Sequence, residues 1–132
     1  MLRLFLILLP AALVAGCSDG CSNSVIDESI DPSGKVKAVM FQRDCGASTG
    51  FSTQISVIGS DRQPTGAGNV FIADDDHGAA AAGEWGGPWA EMTWAGPDHL
   101  HIRYATKSRI FERQGKVSGI RITYETVLRQ TL

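Results

Sequence analysis

The chain has 132 residues, 43% of them apolar and 20% charged, with a formal net charge of −2 at neutral pH. That length supplies one domain with one modest core. Charge is unevenly placed: residues 17–98 hold four bases against twelve acids, a net of −8, whereas residues 99–132 hold seven against two, a net of +5. Acidic loops set against a basic terminal hairpin within one fold account for this. The sharper reading is a basic face for an anionic partner such as lipid head groups or lipopolysaccharide.

Leu4 to Val14 is an apolar stretch preceded by one positive charge, Arg3. It has the length of a signal-peptide core, ~7–15 residues, and falls short of the ~20 residues that cross a bilayer as a helix. Pro10 also interrupts it, which a long helix disfavours. Behind it, Val14-Ala15-Gly16-Cys17 resembles the bacterial lipobox, whose cysteine is thioether-linked to a diacylglycerol and becomes the new N-terminus. The resemblance implies a signal peptide over residues 1–16, lipidation of Cys17 and a periplasm-facing chain anchored through membrane lipid. Ser18 rather than Asp follows the cysteine, which favours the outer membrane over the inner. An ordinary secretory signal or an uncleaved anchor, with Cys17 thiol or disulfide, is the competing reading. An export signal argues against nucleic acid as a partner. With Cys17 lipidated, Cys21 and Cys45 remain, and an even pair in an exported protein reads as one disulfide. Closing a loop of ~25 residues contributes roughly 3–4 kcal/mol in the chain-entropy view.

Residues 17–34 read as a lipid-anchored tether, rich in Ser, Asp, Gly and Asn and ending in the turn Asp31-Pro32-Ser33-Gly34. Residues 35–132 read as the folded domain. Lys35 to Arg43 is β-prone and apolar on both faces after Lys37, the pattern of a central strand. Phe51, Thr53, Ile55 and Val57 alternate with Ser52, Gln54 and Ser56, which predicts a half-buried strand. Asn69 to Ala73 is a short apolar run. Ala90, Met92 and Trp94 alternate with Glu91 and Thr93, and Leu100, Ile102 and Tyr104 with His101 and Arg103. Arg109–Arg113 and Val117–Leu128 look like a terminal hairpin, with Ile120, Ile122, Tyr124, Thr126 and Leu128 on one face. Ala79 to Gly83 is taken as a loop. The whole predicts a mainly β, single small antiparallel sheet or sandwich.

Four constellations invite chemistry. Gly46-Ala47-Ser48-Thr49-Gly50 matches GxSxG, but that elbow needs a strand before it, a helix after it and a parallel sheet beneath. Residues 51–58 read as a strand instead, so no catalytic residue is assigned to Ser48. Asp74-Asp75-Asp76-His77 gathers oxygen and imidazole donors of the sort that hold Ca²⁺, without calcium-loop spacing. No metal or other cofactor is expected, and Asp74, Asp76 and His77 are the residues that would hold one. His99 and His101 share a strand face and would ligate together, although a solvated face beside Arg103 explains them as well. Trp85 and Trp89, beside Trp94, flank Gly86-Gly87-Pro88, where aromatics form a sugar- or peptide-stacking platform or else cover a sheet edge.

Cys21, then Pro32-Ser33-Gly34-Lys35, then the run from Phe41 through Arg43-Asp44-Cys45-Gly46-Ala47-Ser48-Thr49-Gly50 to Gln54 resembles a group of small uncharacterised bacterial lipoproteins. Those proteins carry a Ser-Pro-Asp-Gly-Lys turn before a strand and an Arg-Asp-Cys-Gly-Ala-Thr-Thr loop. Trp94-Ala95-Gly96-Pro97-Asp98-His99-Leu100-His101-Ile102-Arg103-Tyr104 also looks like that group. The resemblance implies architecture and location, and no activity. The expectation is a non-catalytic envelope binding or scaffolding protein with a protein or glycan partner. A metal-assisted periplasmic hydrolase and a subunit of an envelope or secretion complex are the alternatives.

Overall fold

The structure is a computed structural model that describes residues 20–46 and 51–129. Cys17 and Ser48 lie outside the described residues. Nine strands account for the regular structure described: β1 (Ser22–Ile30), β2 (Val36–Asp44), β3 (Ser52–Gly59), β4 (Phe71–Asp74), β5 (Ala90–Gly96), β6 (His99–Ala105), β7 (Arg109–Arg113), β8 (Lys116–Val117) and β9 (Ile120–Val127). They form a five-stranded sheet ordered β1-β2-β3-β4-β7 and a four-stranded sheet ordered β5-β6-β9-β8. All pairings are antiparallel except β6 with β9. The mainly β sandwich read from the sequence is the fold.

The inner faces of the two sheets share one core. Met40, Ile55 and Phe71 from the first sheet meet Met92, Leu100, Ile102 and Ile122 from the second. Tyr104 and Tyr124 close on Phe71, with ring centroids 5.1 and 6.1 Å away. Aromatic pairs at such spacing are worth ~0.5–1.5 kcal/mol beyond the area they bury.

β2 is central because both its faces are covered. Ala38 and Met40 point into the sandwich, while Val39 and Phe41 point outward and are equally buried. Their cover is the long connection from β3 to β4, laid over the outer face of the first sheet. Asn23 Nδ2 donates to Pro64 O and Gly66 O, Gly68 N donates to Gln54 Oε1, and Asn69 N donates to Ser56 Oγ. That is why Gln54 and Ser56 are buried, and β3 is covered on both faces rather than half-buried. Gly68 is required here, since a Cβ would lie 2.8 Å from Phe71 O and 2.9 Å from Ile55 O.

Two expectations are corrected. Most of the stretch taken for a tether is β1, paired with β2 from Ser22↔Asp44 to Ile30↔Lys37. Its polar composition suits an edge strand, and a bulge between Val25 and Asp27 breaks its alternation while Ile26 packs against the core. The folded domain therefore reaches back at least to Cys21 rather than starting at residue 35. The terminal hairpin does not form either. β7 pairs with β4 in the first sheet, and β9 runs parallel to β6 in the second. A parallel pair needs a crossover connection, and β7 in the opposite sheet supplies most of it.

Candidate functional site

One end of the first sheet is a row of register partners. Ser22 faces Asp44, Ser52 faces Asp74, and Asp74 faces Arg109. Ser52 Oγ donates to Arg43 O and completes the row between β2 and β3. The disulfide between Cys21 and Cys45 clamps β1 to β2 at this same end.

A pocket of about 610 Å³ opens there. Ile72 and Phe111 give it an apolar floor, and Arg43, Ser52, Asp75 and His77 supply polar groups around it. Its rim is a left-handed turn: Asp76, His77 and Gly78 have φ of 49°, 57° and 87°. Ala79 N bonds to Asp76 O and Ala80 N to Asp75 O, which hold the turn closed. Left-handed backbone costs a non-glycine residue about 1–2 kcal/mol, and strain of this kind concentrates where a protein binds or reacts.

The Asp74–His77 cluster does not assemble as a cation site. Asp74 Oδ1 accepts from Arg109 Nε at 3.0 Å and from Asp76 N at 2.9 Å, and Oδ2 accepts from Arg109 Nη2. The Arg109 guanidinium, hydrogen-bonded to it, holds the Asp74 carboxyl below the usual range against the opposing effect of burial. A cation would have to displace that partner. Asp76 and His77 follow on the left-handed turn. Among the described residues no group of three His, Cys, Asp or Glu side chains is placed to hold a metal.

The three tryptophans are each engaged separately. Trp85 donates its indole N–H to Thr53 Oγ1 at 2.8 Å, and Thr53 passes its own proton to Pro88 O. The Trp85 ring lies on Gly83, where a Cβ would come within 2.4 Å of it. Trp89 is covered by Arg129, whose Cζ sits 4.3 Å from the ring centroid. Trp94 donates to Ser29 O at 2.9 Å and pins β5 to β1. No shared stacking platform forms at Trp85 and Trp89. The rings anchor the 83–89 loop and one sheet edge.

The outer face of the second sheet carries a hydrogen-bonded line, of which the sequence showed only the two histidines. His99 Nε2 and His101 Nδ1 both lie 2.7 Å from Thr123 Oγ1. His101 Nε2 lies 3.3 Å from Glu125 Oε2, and Arg121 Nη2 lies 3.2 Å from His99 Nδ1. Tautomers follow from the donors. Arg121 can only donate, so His99 Nδ1 accepts and His99 Nε2 carries the proton. Thr123 therefore accepts from His99 and donates to His101 Nδ1, leaving the His101 Nε2 proton to face Glu125. Burial first, then the nearby Arg121 and His101, lower the pKa of His99 below its ordinary value. The two histidines share a face as expected, but Thr123 occupies the point on which their nitrogens converge. The hydroxyl–imidazole–carboxylate sequence lies on an open sheet face, beside strands already paired in the β6–β9 ladder.

The pocket was hidden from the sequence, because Arg43, Ser52, Ile72 and Arg109 belong to four strands. Beyond the spacing of His99 and His101, the outward alternation of Thr123 and Glu125 against Ile122 and Tyr124 was the signal for the histidine line. Comparison with known protein families, curated proteins and solved structures finds no match to this chain.

Proposed function

We propose that this chain is a bacterial envelope lipoprotein, acylated on Cys17, that acts as a non-catalytic binding module. Its ligand seat is the pocket between Arg43 and Arg109. The observation that carries the binding role is the coincidence at one place of a 610 Å³ cleft, an apolar floor and a strained left-handed rim. Such a floor beside guanidinium, hydroxyl and carboxylate groups suits a ring with one apolar face and hydroxyls at its edge, which is the chemistry of a glycan. The lipobox-like Val14-Ala15-Gly16-Cys17, together with the Cys21–Cys45 disulfide, supports the location, since disulfides persist in oxidising compartments.

Two measurements test the two halves. Intact mass of protein taken from membranes should show acyl chains on a chain starting at Cys17, and two thiols alkylated only after reduction. An unacylated chain, or thiols that alkylate without reduction, would sink the location. Titration with cell-wall oligosaccharides, followed by amide chemical shifts, should move Ser52, Ile72 and Asp75. Phe111→Ala should weaken binding by an order of magnitude or more. Shifts scattered over the surface, or an undiminished Phe111→Ala, would remove the pocket as the seat.

A further inference from the structure

Five large hydrophobic side chains are exposed among the described residues: Val25 and Ile30 lie along the edge strand β1, and the other three are Phe51, Phe111 and Leu128. Phe51 is 57% exposed, Phe111 60% and Leu128 79%. Phe51 immediately precedes β3 at the Ser52↔Asp74 row, and Phe111 lies two residues along β7 from Arg109, in the floor of the pocket. Leu128 follows Val127, which pairs with Ala105 and accepts a hydrogen bond from Thr106 N. The segment from Ala105 to Arg109 joins the ends of the two sheets, so all three side chains occupy one end of the sandwich. Cys21 occupies that end too, through its disulfide to Cys45.

Charges of both signs surround these side chains. Lys107 lies on the β6–β7 turn and Arg129 beyond β9, while Asp75 and Asp76 lie on the left-handed turn. A phosphoethanolamine head group offers a phosphate to the first pair and an ammonium to the second.

Resting on the lipoprotein reading above, we infer that this end of the sandwich docks onto the bilayer that holds the protein's own acyl chains. Chain length keeps the contact within reach. Cys17 precedes Cys21 by four residues, a reach of at most about 14 Å at ~3.5 Å per residue. Cys21 is thus held within or just above a head-group layer ~5–7 Å deep, with Phe51, Phe111 and Leu128 beside it. Tethering makes docking intramolecular, so a modest apolar footprint suffices.

The test uses full-length acylated protein in phosphatidylethanolamine–phosphatidylglycerol vesicles, with the disulfide intact. An environment-sensitive nitrobenzoxadiazole label is placed through Thr126→Cys at the docking end or through Asp61→Cys at the opposite end. Emission from position 126 should shift to the blue and rise several-fold on reconstitution, while position 61 stays as in water. Phe51→Ser combined with Leu128→Ser should abolish that rise, although the protein still floats with the vesicles. Phe51→Leu with Leu128→Ile, which keeps the apolar surface, should preserve it, so lost folding is not mistaken for lost docking. Floating protein whose two labels report equal exposure to water would overturn the docking and leave the anchor standing. A chain that neither carries acyl groups nor floats would overturn both.

Discussion

At the scale of single residues, two side chains set distinct pH limits. His99 is neutral in its hydrogen-bonded line, and its pKa is lowered chiefly by burial. A lowered folded-state pKa means the unfolded chain binds more protons below pH ~6.5, so stability rises with pH there. The contribution of His99 is fully present above that pH and is lost as pH falls through the folded value. Thermal midpoints should therefore drop on acidification from pH 7 toward 5. Arg121→Ala should reduce that slope in part, because Arg121 is the second cause of the shift after burial; an unchanged slope would exclude the coupling. Tyr124 acts at the other limit. Burial pushes its phenol up to about 12, and its hydroxyl donates to Gln114 O at 2.6 Å. A raised pKa gives stability that is present below pH ~10 and is lost as pH climbs toward 12. Tyr124→Phe should cost about 1 kcal/mol at neutral pH and flatten the alkaline arm, measured by denaturant unfolding across pH 8–11.

At the scale of elements, the β3–β4 connection contributes as much as a strand. Asn69 Oδ1 accepts from Val57 N at 2.9 Å, and Asn69 Nδ2 donates to Val57 O at 3.0 Å, so its side chain serves as the next rung beyond β4. Asn69→Ala should leave both Val57 groups without that partner, at a cost of about 1–3 kcal/mol for each that stays buried. Hydrogen exchange should quicken at Val57 while β6 remains protected. Such pairing is invisible to periodicity, which assigned Asn69 to the start of an apolar run. The strands with strong alternation, β5 and β6, were legible because one face of each meets the core. β1 was not, because its polar residues and its bulge obscure the period of two. The partner of β7 was illegible for a different reason: RIFER pairs equally well with any edge, and a short turn to β8 suggested the nearer one. The disulfide was legible because setting Cys17 aside as the lipobox cysteine leaves one even pair. Its reduction should remove roughly 3–4 kcal/mol, with exchange rising first at Ser22 to Val25, which the bridge holds against β2.

At the scale of the whole molecule, the disulfide and the pocket occupy one end, and on the proposed lipoprotein reading the distance from Cys17 to that end decides how the protein stands on a surface. The described domain reaches back to Cys21, so on that reading only residues 18–20 separate it from an acylated Cys17. A ten-residue Gly-Ser insertion between Cys17 and Cys21 separates tethering from docking. The insertion adds a root-mean-square reach of about 16–19 Å, at 5–6 Å times the square root of its length, and lowers the effective concentration of the sandwich end at the bilayer. If acyl chains on Cys17 hold the protein there, as the proposed lipoprotein reading requires, flotation should be unchanged. The label at Thr126→Cys should instead lose part of its emission gain, and Leu128→Ser in the lengthened chain should remove the remainder. If the short tether enforces the orientation, glycan binding in the pocket should be measurably different between vesicle-bound and lengthened proteins, since the pocket mouth lies beside the docked end. Equal affinities would mean that the pocket opens clear of the head groups, with the docked end serving only to orient it.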